Sequence, residues 1–301
     1  MNIFGDYTFA VIALGSGVLG AISGVIGSFA VLRRQSLLGD GVSHAALPGV
    51  VAAFMLTGIK GSITLLTGAL ISGLAAVLLI SLAVKKTKLK FDAALASVMS
   101  AFFGLGTVLL TCSQKIPDAT QAGLSSFIYG QASSMLISDV ILTAVSSAVL
   151  LLVVILFWKE LKVFCFDRDF AIQSGYSEKA VSLVLSLMTV AAVILGIRTV
   201  GVVLMSAMIT APAAAARQWS DRLWVMVLLS AVFGAASGAL GAYVSAAGEG
   251  IPTGPAIVIT AGTIAAASLL FAPKRGIIKR LIVRKTYGLR LTAAEKKGGS
   301  I

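Results

Sequence analysis

Residues 135–158 read "MLISDVILTAVSSAVLLLVVILFW", and this stretch decides the fold. It runs for 24 residues with a single acid, Asp139, near its start. A helix of about 20 apolar residues crosses the hydrocarbon core of a bilayer, so this one is long enough to span it. Comparable runs recur at roughly 8–32, 43–58, 62–84, 92–112, 180–197, 200–216, 223–246 and 255–272. The second is short and holds Pro48 and Gly49, so a broken or partly crossing helix is one reading of it. Counting it or not gives nine or eight spans. The short alternating strands of a membrane barrel are absent. The expected fold is an all-α integral membrane protein, a polytopic bundle of eight to nine transmembrane helices.

Composition agrees. Hydrophobic residues make up 58% of the 301 and charged residues 12%, with a mean hydropathy of +1.00. Soluble domains carry about 25% charged residues. The net charge of +12 would suit nucleic acid if it formed one patch. It falls instead in clusters at 33–34, 85–90, 159–179, 217–222 and 274–297, at alternating ends of the apolar runs. That is the pattern of cytoplasmic loops, and it places the N-terminus outside and the C-terminus inside. The basicity is topological, and no nucleic-acid partner is expected. The first run is long and ends in Arg33-Arg34, which reads as a span rather than a cleaved leader. Cys112 and Cys165 fall on opposite predicted sides and lack metal-motif spacing, so they should stay unpaired.

Small residues recur at helical spacing, Gly17, Gly20, Gly24 and Gly27 in the first run and Gly234, Gly238 and Gly241 in the eighth. Such faces let helix backbones approach closely in lipid. No Gly-x-x-x-x-Gly-Lys-Ser/Thr phosphate loop, His-Glu-x-x-His pair or Gly-x-Ser-x-Gly elbow occurs. The chain is therefore expected to be no enzyme, and any ATP-driven activity needs a separate subunit.

The chemistry concentrates in residues 36–50, "SLLGDGVSHAALPGV", where Asp40 stands four residues before His44, the only histidine. Residues four apart share a helix face. Carboxylate and imidazole together suit Mn²⁺, Fe²⁺ or Zn²⁺. Two ligands fall short of the four of a closed zinc site, which suits an ion that must also leave. An acid in a span is costly and usually functional. The competing reading has Asp40 capping the helix start and His44 hydrogen-bonded to it. If the pair binds metal, the imidazole must be neutral, so uptake should weaken in acid.

Three polar stretches remain. Residues 113–134 form a long outer loop, and 247–255, "AGEGIPTGP", a tight outer turn. Asp118 and Glu249 in them are candidate docking contacts. Residues 159–179, "KELKVFCFDRDFAIQSGYSEK", are too polar to span yet interleave phenylalanines with charges, as if something packs against them. The expected division is a permease domain over 1–273 and a basic cytoplasmic tail over 274–301.

"GVIGSFAVLRRQSLLGDGVSHAALPGV" (24–50), "ELKVFCFDRDFAIQSGYS" (160–177) and "TVGVVLMSAMITAPAAAARQWSDR" (199–222) resemble the recurring blocks of membrane permeases of manganese/zinc/iron ABC importers, the ABC-3 family. The resemblance implies a multi-pass subunit of a bacterial inner membrane. It further implies a second permease protomer, cytoplasmic ATP-binding subunits and an extracellular or periplasmic metal-binding protein. Asp40 and His44 take the positions of the family's metal-contacting pair. The family's cytoplasmic coupling helix falls on about 166–177, with Asp169, Ala171 and Gly175 in its acidic–Ala–Gly pattern. Mn²⁺ or Zn²⁺ would be cargo, with no permanently bound cofactor. The rival within transport is an ion-coupled secondary metal carrier, for which Asp40 is the one strong coupling acid.

Overall fold

The computed structural model describes residues 7–58, 61–113, 130, 135–248 and 250–279. All regular structure among them is helical: α1 (Tyr7–Leu32), α2 (Leu38–Thr57), α3 (Ser62–Lys86), α4 (Phe91–Ser113), α5 (Ile137–Leu156), α6 (Trp158–Phe166), α7 (Arg168–Gln173), α8 (Glu178–Val200), α9 (Val202–Trp219), α10 (Leu223–Ala247) and α11 (Thr253–Phe271). Eight are long and apolar enough to cross a membrane, α1 to α5, α8, α10 and α11. The expected span at 200–216 appears as α9, an 18-residue helix outside those eight. It is parted from α8 only by Gly201, whose φ of 93° breaks the helix.

The short second segment is not broken. α2 runs 20 residues through Pro48. Proline within a helix removes one backbone donor and crowds the preceding turn. Here the Ser72 hydroxyl of α3 donates to Ala45 O at 2.6 Å, within that turn. The carbonyl that proline deprives of its usual donor is the preceding one, four residues back on His44, so this bond fastens α2 to α3 beside the proline.

Glycines set the helix spacing. A β-carbon on Gly20 would stand 2.1 Å from Gly234 O, and one on Gly24 would stand 2.3 Å from Ser230 O. The Ser16 hydroxyl donates to Gly238 O at 3.0 Å, and that of Ser230 donates to Gly24 O at 2.7 Å. The two predicted small-residue faces thus meet each other, α1 on α10. In lipid, where apolar area drives little association, such contact and its hydrogen bonds hold helices together.

Two buried clusters fill the bundle. The larger joins α2, α3, α8 and α9 around Val42, Phe54, Ile194, Met205 and Met208. The second, around Phe29, Leu161, Phe164, Ala171 and Leu185, binds α6 and α7 to α1 and α8 at the predicted cytoplasmic end.

Candidate functional site

α2 opens with Leu37 at its N-cap and no side-chain cap, so Asp40 lies in the first turn rather than at the capping position. A negative charge there is favoured by the aligned peptide dipoles. One turn on, His44 Nε2 stands 3.6 Å from Asp40 Oδ1, both side chains being half-buried. That is too long for a hydrogen bond. Two ligands of a tetrahedral ion, each about 2.1 Å from it, stand about 3.4 Å apart. The separation of the pair is close to that value. His44 Nδ1 is buried without a hydrogen-bond partner among the described residues.

α4 fixes the imidazole. The His44 ring meets Phe103 edge-on, with centroids 5.0 Å apart and planes at 86°. Glycines bring the two helices together on either side of that contact. Gly41 of α2 lies against Leu95, and Gly106 of α4 lies against Leu47 and Pro48. The sequence shows α4 as the span expected at 92–112 but not its place beside the pair, since nothing in its apolar pattern pairs it with α2. Among the described residues no group of three or more His, Cys, Asp or Glu could hold a metal ion.

The face of α4 beside Phe103 is unusual for one turned to lipid. Ala93, Ser97, Ser100, Gly104, Thr107 and Thr111 recur at helical spacing along it, and all but Thr107 are exposed. Ser97, Thr107 and Thr111 return their hydroxyl protons to backbone carbonyls of α4 itself.

The segment expected over 166–177 contains a six-residue helix, α7, defined at both ends. Asp167 caps its start, its carboxylate accepting from Phe170 N at 2.9 Å. At its end the Gly175 N–H donates to Ile172 O at 3.0 Å and the Tyr176 N–H to Ala171 O at 3.1 Å. That is a Schellman motif, which needs a left-handed residue, and Gly175 supplies it with φ 86°. Ala171 is wholly buried in the second cluster, whereas Asp169 is exposed. Phe166, Phe170 and Ile172 are exposed as well, an apolar surface at the predicted cytoplasmic end. Asp118, Glu249 and tail residues 280–301 lie outside the described residues.

Cys112 and Cys165 are both free, as expected. Burial pushes the Cys165 thiol up to about 11, with the nearby Arg33 charge pulling the other way.

The ABC 3 transport family matches residues 6–272. The zinc transport system membrane protein TroC of Treponema pallidum is 47% identical, over 96% of this chain and 97% of its own. The manganese transport system membrane protein MntC of Bacillus subtilis is 42% identical, over 89% of this chain and 62% of its own. Among solved structures, PsaBC from Streptococcus pneumoniae in complex with Fab superposes with a TM-score of 0.80 at 28% identity, covering 92% of this chain and 96% of that one. ATP hydrolysis in such a system belongs to a separate subunit, which removes the secondary-carrier reading. The chain belongs to the ABC 3 transport family and is a multi-pass membrane subunit of a bacterial ABC transporter.

Proposed function

We propose that this subunit is the permease of an importer for Mn²⁺ or Zn²⁺, and that Asp40 and His44 form a transient coordination point on the ion's path. The observation that carries the reading is the 3.6 Å separation of Nε2 and Oδ1 on one face of α2. The names of its relatives, a zinc and a manganese system, support the same ion class.

Two ligands leave an ion's shell incomplete. A second copy of this chain packed on the small-residue face of α4, beside His44, would bring its own pair across a two-fold axis. Small and hydroxyl residues make poor lipid contacts but good helix interfaces. The exposed Phe166, Phe170 and Ile172 around α7 form the surface for the cytoplasmic ATPase. Closure of the ATPase dimer on ATP would push α7 and turn the bundle outward. The ion arrives from an extracellular or periplasmic binding protein, and hydrolysis restores the inward state.

Uptake of radioactive manganese and zinc tests this in cells expressing the partner ATPase with wild type, Asp40→Ala or His44→Ala. Loss of uptake in both variants at normal membrane levels supports the pair, and the better-transported ion names the cargo. Uptake that survives both substitutions sinks it.

A further inference from the structure

Arg33 and Arg34 follow α1, and they point in different directions. Arg34 is exposed. Arg33 is half-buried, its guanidinium carbon 4.8 Å from the centre of the Phe164 ring in α6. Its Nη1 is buried with no hydrogen-bond partner among the described residues. Burial lowers its pKa from the ordinary arginine value. Of the two groups that favour its charge, the Cys165 thiol, pushed up to about 11, is neutral near pH 7, and the Glu178 carboxylate is ion-paired with Arg168. An arginine that only marked the inner face would reach out to water. The inward guanidinium therefore has another cause, and a cation over an aromatic face gains strength as water is excluded.

The contact is half of a clamp. Trp158, the first residue of α6, meets Phe29 of α1 edge-on, with centroids 6.0 Å apart at 87°. Phe164, near the end of α6, meets Arg33. The two ends of α6 are thus fastened to the last turn of α1 and to the residue that follows it, and Ala171 of α7 is buried in the same cluster. On its other side Arg33 leads directly into α2. Arg34 is left-handed with φ 56°. Its N–H donates to Val31 O at 3.1 Å, and that of Gln35 donates to Ala30 O at 2.9 Å. This is again a Schellman motif, with arginine where glycine is usual. A side chain is held in that conformation only where its surroundings over-determine it. Leu38 N–H then bonds Gln35 O at 3.0 Å, and Asp40 follows within the first turn of α2.

We propose that Arg33 is a positioning residue which, through Phe164, ties the α6–α7 pair to the α1–α2 turn, so that displacement of α7 by the ATPase moves Asp40 and His44. The inference rests on the function proposed above. It makes Arg33 a determinant of coupling rather than of ion binding.

The readout is ions taken up per ATP hydrolysed by the complete transporter in vesicles, supplied with the binding protein and Mn²⁺ or Zn²⁺. Arg33→Met and Phe164→Leu are each expected to lower that ratio about tenfold while the complex still assembles and hydrolyses ATP. The double variant should be no worse than the poorer single one, and Arg33→Lys, which keeps a cation over the ring, should recover part of the ratio. Uptake and hydrolysis that fall in parallel, leaving the ratio unchanged, would make Arg33 purely structural and overturn the inference. An unchanged ratio at wild-type rates overturns it equally. Should Arg33→Met fail to insert, Phe164→Leu and Arg33→Lys decide, and a wild-type ratio in both sinks the idea. A wild type that hydrolyses ATP but takes up neither ion overturns the proposed function, and this inference with it.

Discussion

Gly49 of α2 and Gly68 of α3 meet backbone to backbone. A β-carbon on Gly49 would stand 2.1 Å from Gly68 O, and one on Gly68 would stand 2.3 Å from Gly49 O. Neither obstacle is a side chain that can swing aside, so the helices themselves must part. Gly49→Ala and Gly68→Ala are each expected to destabilise the subunit by about 1–3 kcal/mol. They should also lower metal uptake, because α2 carries Asp40 and His44. Thermal melting of the detergent-solubilised protein alongside uptake checks both effects. Gly262→Ala in α11, with nothing within 4 Å of the added carbon, is the matched control for stability.

Gly175 presents the opposite case, with open space but a demanding backbone. Nothing lies within 4 Å of an added β-carbon, yet its φ is 86°. Gly175→Ala should cost about 1–2 kcal/mol through the left-handed conformation alone. Asparagine tolerates that conformation better, so Gly175→Asn should keep more activity. Co-purification of the ATPase and metal uptake should rank glycine first, asparagine next and alanine last. Equal behaviour of the two variants would show that the α7 cap plays no part in the ATPase contact.

The Cys165 thiol, raised to about 11 by burial, is almost wholly protonated at neutral pH. The thiolate is the nucleophile in alkylation. Iodoacetamide should therefore modify Cys165 in a Cys112→Ser background slowly at pH 8 and progressively faster towards pH 11. Mass spectrometry of the modified peptide gives the rate. Fast labelling at pH 8 would contradict the burial described for α6.

Asp221 accepts from Arg275 at 2.6 Å and from Lys274 at 3.3 Å, joining the α9–α10 turn to the chain beyond α11. These hydrogen bonds hold its carboxyl below the usual carboxylate range. Since the folded pKa is depressed, the contribution is complete above the ordinary value of about 3.9 and is lost as pH falls through the lower folded value. Asp221→Asn should speed hydrogen exchange over residues 272–279 several-fold at pH 7. The difference from wild type should persist at pH 5.

The membrane spans were legible because their apolar runs are long. The start of α2 was not, since Gly39, Asp40, Gly41 and Ser43 dilute its hydropathy. The expected segment began at 43, whereas the helix begins at Leu38. Pro48 looked like a break because proline removes a helix hydrogen bond, yet α2 runs through it, packed on α3 with the Ser72 hydroxyl on Ala45 O. The Asp40–His44 spacing was readable from helical periodicity, but the role of Phe103 was not, since no local pattern brings α4 against α2. The region of α7 was visible as an amphipathic stretch, while its bounds follow from Asp167 and Gly175 acting as caps. Arg33 and Arg34 look alike in the sequence, and only the packing of α6 distinguishes them.

The glycine contact between α1 and α10 bears on how such a subunit changes shape. Where carbonyl oxygen meets α-carbon, no layer of side chains remains to exchange rotamers, and one helix cannot slip along the other without collision. Gly20 against Gly234 and Gly24 against Ser230 therefore make these two helices one strut. Any change of shape in the subunit therefore has to pass around that strut rather than through it.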